Sequence, residues 1–318
     1  MRRWRTRSAQ MRHGTIAPSI REGATLGSIS VAACSRRNRT PDKPCEDAYA
    51  VRLDAQGAVL VVADGVTRSR SAAGAYPQPS GAAIAAELVA RTLADALTDG
   101  TDPVAAFALA NQAVDDANRR NGVWDRLDYK EHDLWGAVAT AVVVADGLAR
   151  WVHIGDTVLL HLPAADGAYV RTPDQVSDSI EHLESLPPET LTAVGGRELY
   201  ARRHLRNQPT TAHSYGVLTG EAAAAAYVVS GQFAVASGDL LMLGTDGLGS
   251  LRGTDAAAGW HNLAPWLRGG PSNAALARLL DAVEEADERQ GIRSDDKTVI
   301  AARITDDRTT RRRVNSLE

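Results

Sequence analysis

Val59-Leu60-Val61-Val62-Ala63-Asp64-Gly65 is an apolar run of strand length that stops at an acid and a glycine. A short continuous apolar run reads as a buried strand, and the glycine behind the acid lets the chain turn sharply where the strand surfaces. The same pattern returns near the other end of the chain, in Leu240-Leu241-Met242-Leu243-Gly244-Thr245-Asp246-Gly247. Two such strands place a pair of carboxylates on stiff supports, and the rest of the chain reads as the means of bringing them together around metal. A lone strand-terminal Asp-Gly is usually only a turn. Asp146-Gly147 and Asp166-Gly167 are read that way, so the signal lies in the combination.

Working outward, Thr25–Ser35 is expected as a strand, and Ala48–Leu53 with Ala58–Ala63 as a hairpin turning at Gln56-Gly57. An irregular loop over 66–79 separates the hairpin from two helices. Ser80 is the expected cap of Gly81–Leu97, and Asp102-Pro103 opens a second helix ending near Arg120. Val138–Val144, Arg150–Ile154 and Thr157–Leu162 read as a three-strand meander with Gly155-Asp156 at one junction. The segment 172–220 mixes helical pieces with Pro187-Pro188, Gly195-Gly196 and a basic run, either as a cover over a site or as a surface insertion. Strands over Phe233–Ala236 and Asp239–Gly244, a helix from Pro271-Ser272 to Gln290, and a strand over Thr298–Ile304 complete the chain. Two adjacent helices between strands argue against repeated strand–helix–strand winding. They favour an α+β fold, one domain with a large antiparallel core and helices on its outer faces.

Composition excludes several classes. The 318 residues carry a net charge of −4, which gives no global case for nucleic acid. Arginines cluster in residues 1–24 and 306–318, read as a poorly ordered basic arm and a basic tail around a domain over 25–305. Cys34 and Cys45 are the only cysteines, which offers no disulfide framework or zinc spacing and points to a reducing cytoplasm. No apolar h-region follows the first arginines, and no run approaches a membrane span.

Five acids share one context, the start or end of an apolar strand: Glu46, Asp64, Asp156, Asp246 and Asp295. No serine–histidine or cysteine–histidine arrangement, Walker loop or dinucleotide fingerprint accompanies them. A site of carboxylates alone prefers Mg²⁺ or Mn²⁺ to zinc. Two such ions roughly 4 Å apart can hold a bridging water, lower its pKa and aim it at phosphorus.

Glu46-Asp47-Ala48-Tyr49, Val62-Ala63-Asp64-Gly65, Gly155-Asp156-Thr157, Gly244-Thr245-Asp246-Gly247 and Asp295-Asp296-Lys297-Thr298-Val299 follow one another in a telling order. Together they resemble the metal-dependent serine/threonine protein phosphatases of type 2C, in a divergent bacterial branch. The resemblance implies a four-layer αββα sandwich of two antiparallel sheets flanked by helices. It implies two Mn²⁺ or Mg²⁺ ions bridged by Asp64, one completed by Asp246 and Asp295, the other by Glu46 and the Gly65 carbonyl. Asp156, with Asp246, would serve the third ion that some bacterial members bind, and Asp47 would hold metal-bound water.

Three departures stand out. The histidine common after Asp-Gly is absent from Asp64-Gly65-Val66-Thr67-Arg68. The family's phosphate-binding arginine is replaced by Asp42, leaving Arg36, Arg37 or Arg39 as candidates, with Arg37 and Arg39 preferred. Asp296 stands where asparagine is usual. The implied activity is hydrolysis of phosphoserine or phosphothreonine in proteins. One alternative substrate is a small phosphorylated metabolite or nucleotide. An alternative of another class is a catalytically weak binding module on the same fold.

Overall fold

The computed structural model describes residues 24–26, 29–39, 42–54, 57–66, 78–165, 167–251, 262–267, 269–292 and 295–305. The expectations for 1–23, for the loop over 67–77 and for 306–318 lie outside the described residues.

The chain runs through β1 (Ala24–Leu26), β2 (Ile29–Arg36), β3 (Asp47–Leu53), β4 (Gly57–Gly65), α1 (Gly81–Thr98), α2 (Pro103–Arg120) and the short α3 (Val123–Arg126). It continues as β5 (Ala137–Ala145), β6 (Leu148–Ile154), β7 (Val158–Leu162), β8 (Tyr169–Val170), α4 (Ser177–Ser185), α5 (Pro188–Ala193) and α6 (Arg197–Tyr200). After a wide helical turn over Ala201–Leu205 and a 3₁₀ turn over Ala222–Tyr227 come β9 (Val229–Ala234) and β10 (Leu240–Gly244). A second 3₁₀ turn, Asp246–Leu251, precedes α7 (Ala264–Leu267), α8 (Asn273–Gln290) and β11 (Lys297–Ile304).

Every strand pairing is antiparallel. One sheet has the order β1-β2-β11-β10-β7-β8, the other β3-β4-β5-β6-β9. Between them Leu60, Val62 and Val142 meet Leu159, Leu241, Leu243 and Ile300. On the outer face of the five-stranded sheet, Val59, Val61 and Ala63 pack under Val89 and Leu93 of α1 and Phe107 and Val114 of α2. Successive β4 residues therefore serve opposite layers, both dry, which is why the run from Val59 to Ala63 does not alternate with polar residues. Outside the six-stranded sheet, Leu160, Met242 and Val299 lie beneath Leu276, Leu279, Leu280 and Val283 of α8. Burying each of these leucines contributes about 1.5–3 kcal/mol. The expected αββα sandwich is what forms.

Local chemistry sets the helix ends. Ser80 accepts from the Ala83 amide, Asp102 from Val104 and Ala105, and Ser272 from Ala275. Gly291, at φ 66, ends α8 in the left-handed conformation.

The structure corrects the expected organisation in three places. Thr25–Ser35 is two strands, β1 and β2, which pair with each other. The expected meander is broken, because β7 leaves β5 and β6 and pairs with β10 in the other sheet. Gly155-Asp156 is thus a crossover between sheets rather than a hairpin turn. Asp64 and Gly65 lie within β4, paired with Val138 and Ala137. Among the described residues no helix is long and apolar enough to cross a membrane.

Candidate active site

The acids gather where strands of both sheets end. Asp47, the first residue of β3, faces Asp64 across the ladder. The Gly65 amide donates to the Glu46 carbonyl at 3.0 Å. A Cβ on Gly65 would lie 2.5 Å from the Ala82 carbonyl oxygen and 2.7 Å from that of Glu46, so only glycine lets β4, the Glu46 segment and α1 approach this closely. Ser80, which caps α1, also donates its hydroxyl to Glu46 Oε1.

The second group comes from the six-stranded sheet. The 3₁₀ turn carrying Asp246 presses on the start of β11, and a Cβ on Gly247 would sit 1.8 Å from the Asp296 carbonyl oxygen. Thr245 ties the sheets together: its hydroxyl donates to Asp47 Oδ2 at 2.8 Å and accepts from the Thr298 amide at 3.0 Å. Asp296 lines the same pocket but commits both oxygens to neighbouring groups: Oδ1 accepts from the amide and side chain of Asn38, each at 2.7 Å, and Oδ2 from the Glu46 amide at 2.8 Å. Asparagine offers one side-chain acceptor oxygen where this carboxylate uses two. Lys297 reaches back under the site, its Nζ 2.9 Å from the Asp295 carbonyl and 2.8 Å from Asp287 Oδ2 of α8.

Asp156 projects from the crossover. His153 holds this turn from within, with Nε2 2.9 Å from the Gly155 carbonyl and Nδ1 2.8 Å from the Thr140 hydroxyl. Gln175 accepts from the Gly155 amide through its side chain at 2.7 Å and donates its own amide to the Gly155 carbonyl at 3.1 Å.

Glu46, Asp64, Asp156, Asp246 and Asp295 all line one open pocket of about 340 Å³, with Gly65 beside them. Burial, then the charges of Asp246, Asp47, Asp156 and Asp295, push the Asp64 carboxyl well above the usual carboxylate range. Asp47 is also raised, chiefly by burial, against the lowering effect of the Thr245 hydroxyl. The Cys45 thiol is pushed up to about 12 by burial and by Asp296 and Asp47, which removes it as a nucleophile at neutral pH.

The donor set is carboxylate oxygen with one backbone carbonyl, which fits Mg²⁺ or Mn²⁺. Concentrated negative charge in a buried setting is what a divalent cation would offset. Among the described residues no three His, Cys, Asp or Glu side chains stand arranged around one ion position. Glu46 and Asp295 instead meet a protein cation, with Lys43 Nζ 2.9 Å from Asp295 Oδ1 and 3.5 Å from Glu46 Oε2.

The preferred arginines do not join the acids. Arg39 pairs with Glu284 at 2.7 Å and with Glu288 on α8, and neither Arg37 nor Arg39 lines the pocket. Arg36 is similarly engaged, 2.7 Å from Asp281 and 3.1 Å from Glu284. The acidic face of α8 supplies partners closer than the pocket, a pairing between residues some 245 positions apart that no local pattern reveals.

The segment over 172–220 forms one wall: Val176, Ser179, Ile180 and Leu183 face the acids from α4 and its start, with Tyr215 and Val217 beside them. Arg206 anchors it, donating to both oxygens of Asp133 at 3.0 and 2.8 Å while almost wholly buried.

A family model described as protein phosphatase 2C matches residues 34–281, well over half of the chain. The chain belongs to the protein phosphatase 2C family. It is a metal-dependent phosphatase, of a family that uses Mn²⁺ or Mg²⁺. The match ends before Asp295, which the fold itself brings to the pocket. Solved structures agree on the fold. The Mycobacterium tuberculosis serine/threonine phosphatase PstP/Ppp is 20% identical with a TM-score of 0.57, the alignment covering 87% of this chain and 99% of that one. The catalytic domain of PstP, solved in complex with two manganese ions, is 21% identical with a TM-score of 0.57, at coverages of 88% and 99%. PppA of Pseudomonas aeruginosa is 17% identical with a TM-score of 0.55, at coverages of 88% and 99%. No functionally curated protein matches the sequence.

Proposed function

We propose that this protein phosphatase 2C member removes phosphate from phosphoserine and phosphothreonine in proteins. In this reading two Mn²⁺ or Mg²⁺ ions are held by Glu46, Asp64, the Gly65 carbonyl, Asp246 and Asp295, with Asp156 and Asp246 serving a third. The observation that carries the reading is the convergence of five acids, from five separate segments, on one pocket. The ions would polarise the phosphate and acidify an attacking water. Asp64 is the shared ligand, since it lies among Asp246, Asp47, Asp156 and Asp295 and feels the charge of each. Asp47, fixed by Thr245 and opposite Asp64, lies behind the pocket lining and would hold metal-bound water from there. The apolar wall of Val176, Ile180 and Leu183 supports a protein substrate, offering contact to residues flanking the phosphoamino acid. PstP, described as a serine/threonine phosphatase and solved with two manganese ions, supports the same substrate class and metal count. Cys34 and Cys45 are both unpaired, which supports a reducing cytoplasmic setting.

Asp64→Asn and Asp246→Asn are expected to abolish Mn²⁺-dependent hydrolysis of p-nitrophenyl phosphate while the protein stays folded by circular dichroism. Full activity in either variant, or wild-type activity that survives EDTA, would falsify the two-metal reading. A panel of phosphopeptides beside small phosphomonoesters tests the substrate. A higher kcat/KM for the small esters transfers the assignment to a metabolite phosphatase.

A further inference from the structure

Lys43 is the only cationic side chain among the described residues that line the acidic pocket. The backbone aims it there. Asp42 adopts a left-handed conformation at φ 62, and its carbonyl accepts from the Gln78 side chain at 2.6 Å. Pro44, on the other side, is buried. The Lys43 side chain is 12% exposed, and its ammonium lies between Asp295 and Glu46, acids that come from different sheets. Of the arginines just before it, Arg36 and Arg39 are held by α8, and Arg37 is exposed and lies outside the pocket lining. Lys297, the other nearby ammonium, is buried against Asp287.

A phosphate dianion entering this pocket meets six carboxylates, Asp296 among them, and a side-chain cation beside them would lower the repulsion and fix its orientation. We infer that Lys43 is the residue that receives the substrate phosphate, and that the same ammonium holds Asp295 and Glu46 together when no divalent cation is bound. The lysine stem is flexible and its head is a compact point charge, so moving from a carboxylate to a phosphate oxygen needs only side-chain rotation. Metal and Lys43 therefore compete for Glu46 and Asp295, and metal binding frees the ammonium for phosphate. This inference rests on the reading of the pocket as a phosphate site.

Calorimetry separates these roles without relying on turnover. Inorganic phosphate is titrated into the Mn²⁺-loaded wild type, Lys43→Met and Lys43→Arg, and Mn²⁺ into each phosphate-free protein. Lys43→Gln is carried in parallel should the methionine variant melt early. The expected result is phosphate binding weakened about tenfold or more in Lys43→Met and held within about threefold in Lys43→Arg, the loss of one charge-assisted contact. Mn²⁺ should bind Lys43→Met at least as tightly as wild type. Unchanged phosphate affinity in the methionine variant overturns the assignment. So does a parallel loss of Mn²⁺ affinity, which would make Lys43 a scaffold for the carboxylates. Wild type that binds Mn²⁺ but no phosphate also overturns it. Hydrolysis of p-nitrophenyl phosphate by the same preparation then leaves the phosphatase reading standing.

Discussion

His153 is expected to make this protein acid-sensitive in a defined window. Its ring is fully buried on β6, beneath the turn that carries Asp156. The Gly155 carbonyl can only accept, so Nε2 carries the proton and Nδ1 accepts from the Thr140 hydroxyl, which lies 2.7 Å from that of Thr157. Burial outweighs these hydrogen bonds and lowers the pKa from 6.5 to about 4. As pH falls through 6.5 the unfolded chain takes up a proton that the folded chain refuses until about pH 4. Stability from this group is therefore complete above pH 6.5 and is lost progressively down to about 4. The full window corresponds to about 3 kcal/mol, of which about 2 kcal/mol falls between pH 7 and pH 5. Asp64 and Asp47 work in the opposite sense, because their raised pKa values let the folded state bind protons first and gain stability on acidification. A double difference removes them. Urea unfolding of wild type and His153→Gln, each at pH 7 and pH 5, should show wild type losing about 2 kcal/mol more than the variant, whatever the variant's baseline. A difference below about 0.5 kcal/mol would refute the reasoning, as would a His153 ring proton whose NMR shift titrates near pH 6.5 in the folded protein.

Two further outcomes test how the site is held. Gly247→Ala puts a methyl group against the Asp296 backbone oxygen, which has no side-chain freedom to yield, and should cost about 3 kcal/mol or more and reduce metal-dependent activity by separating Asp246 from Asp295. An unchanged urea midpoint would contradict the close approach. Arg206→Met leaves Asp133 buried with Arg202, 3.1 Å away, as its ion-pair partner and the Leu134 amide as a neutral donor. That should cost about 3 kcal/mol, the low end for breaking a buried pair, and speed proteolytic cleavage between α4 and Arg206. Cleavage at the wild-type rate would show that the Arg206–Asp133 pair does not anchor the wall.

Much of the fold is legible in the chain because its signals are local. The dry run before Asp64 is short, rich in valine and stopped by glycine, which marks it as a strand covered on both faces. Ser80, Asp102 and Ser272 each announce a helix through a hydrogen bond to an amide two or three residues ahead. The acids at strand ends are visible for the same reason, since a strand's end and its turn occupy adjacent positions. The helical pieces of 172–220 are visible too, but not that they form a wall facing acids as distant in the chain as Glu46 and Asp295.

What the sequence alone determined is therefore the inventory: which segments are strands, where they stop, and which carboxylates stand at the stops. Tertiary structure decided the partnerships. It sent β7 to the opposite sheet from β6, which turned Gly155-Asp156 into a crossover. It drew Arg36 and Arg39 onto α8 and left Lys43 among the acids. It buried His153 as the brace of the Asp156 turn. Hydrophobic periodicity and turn chemistry act over a few residues and can be read along the chain. A charge takes whichever opposite partner the packed fold brings nearest, and that choice is made only when distant segments meet.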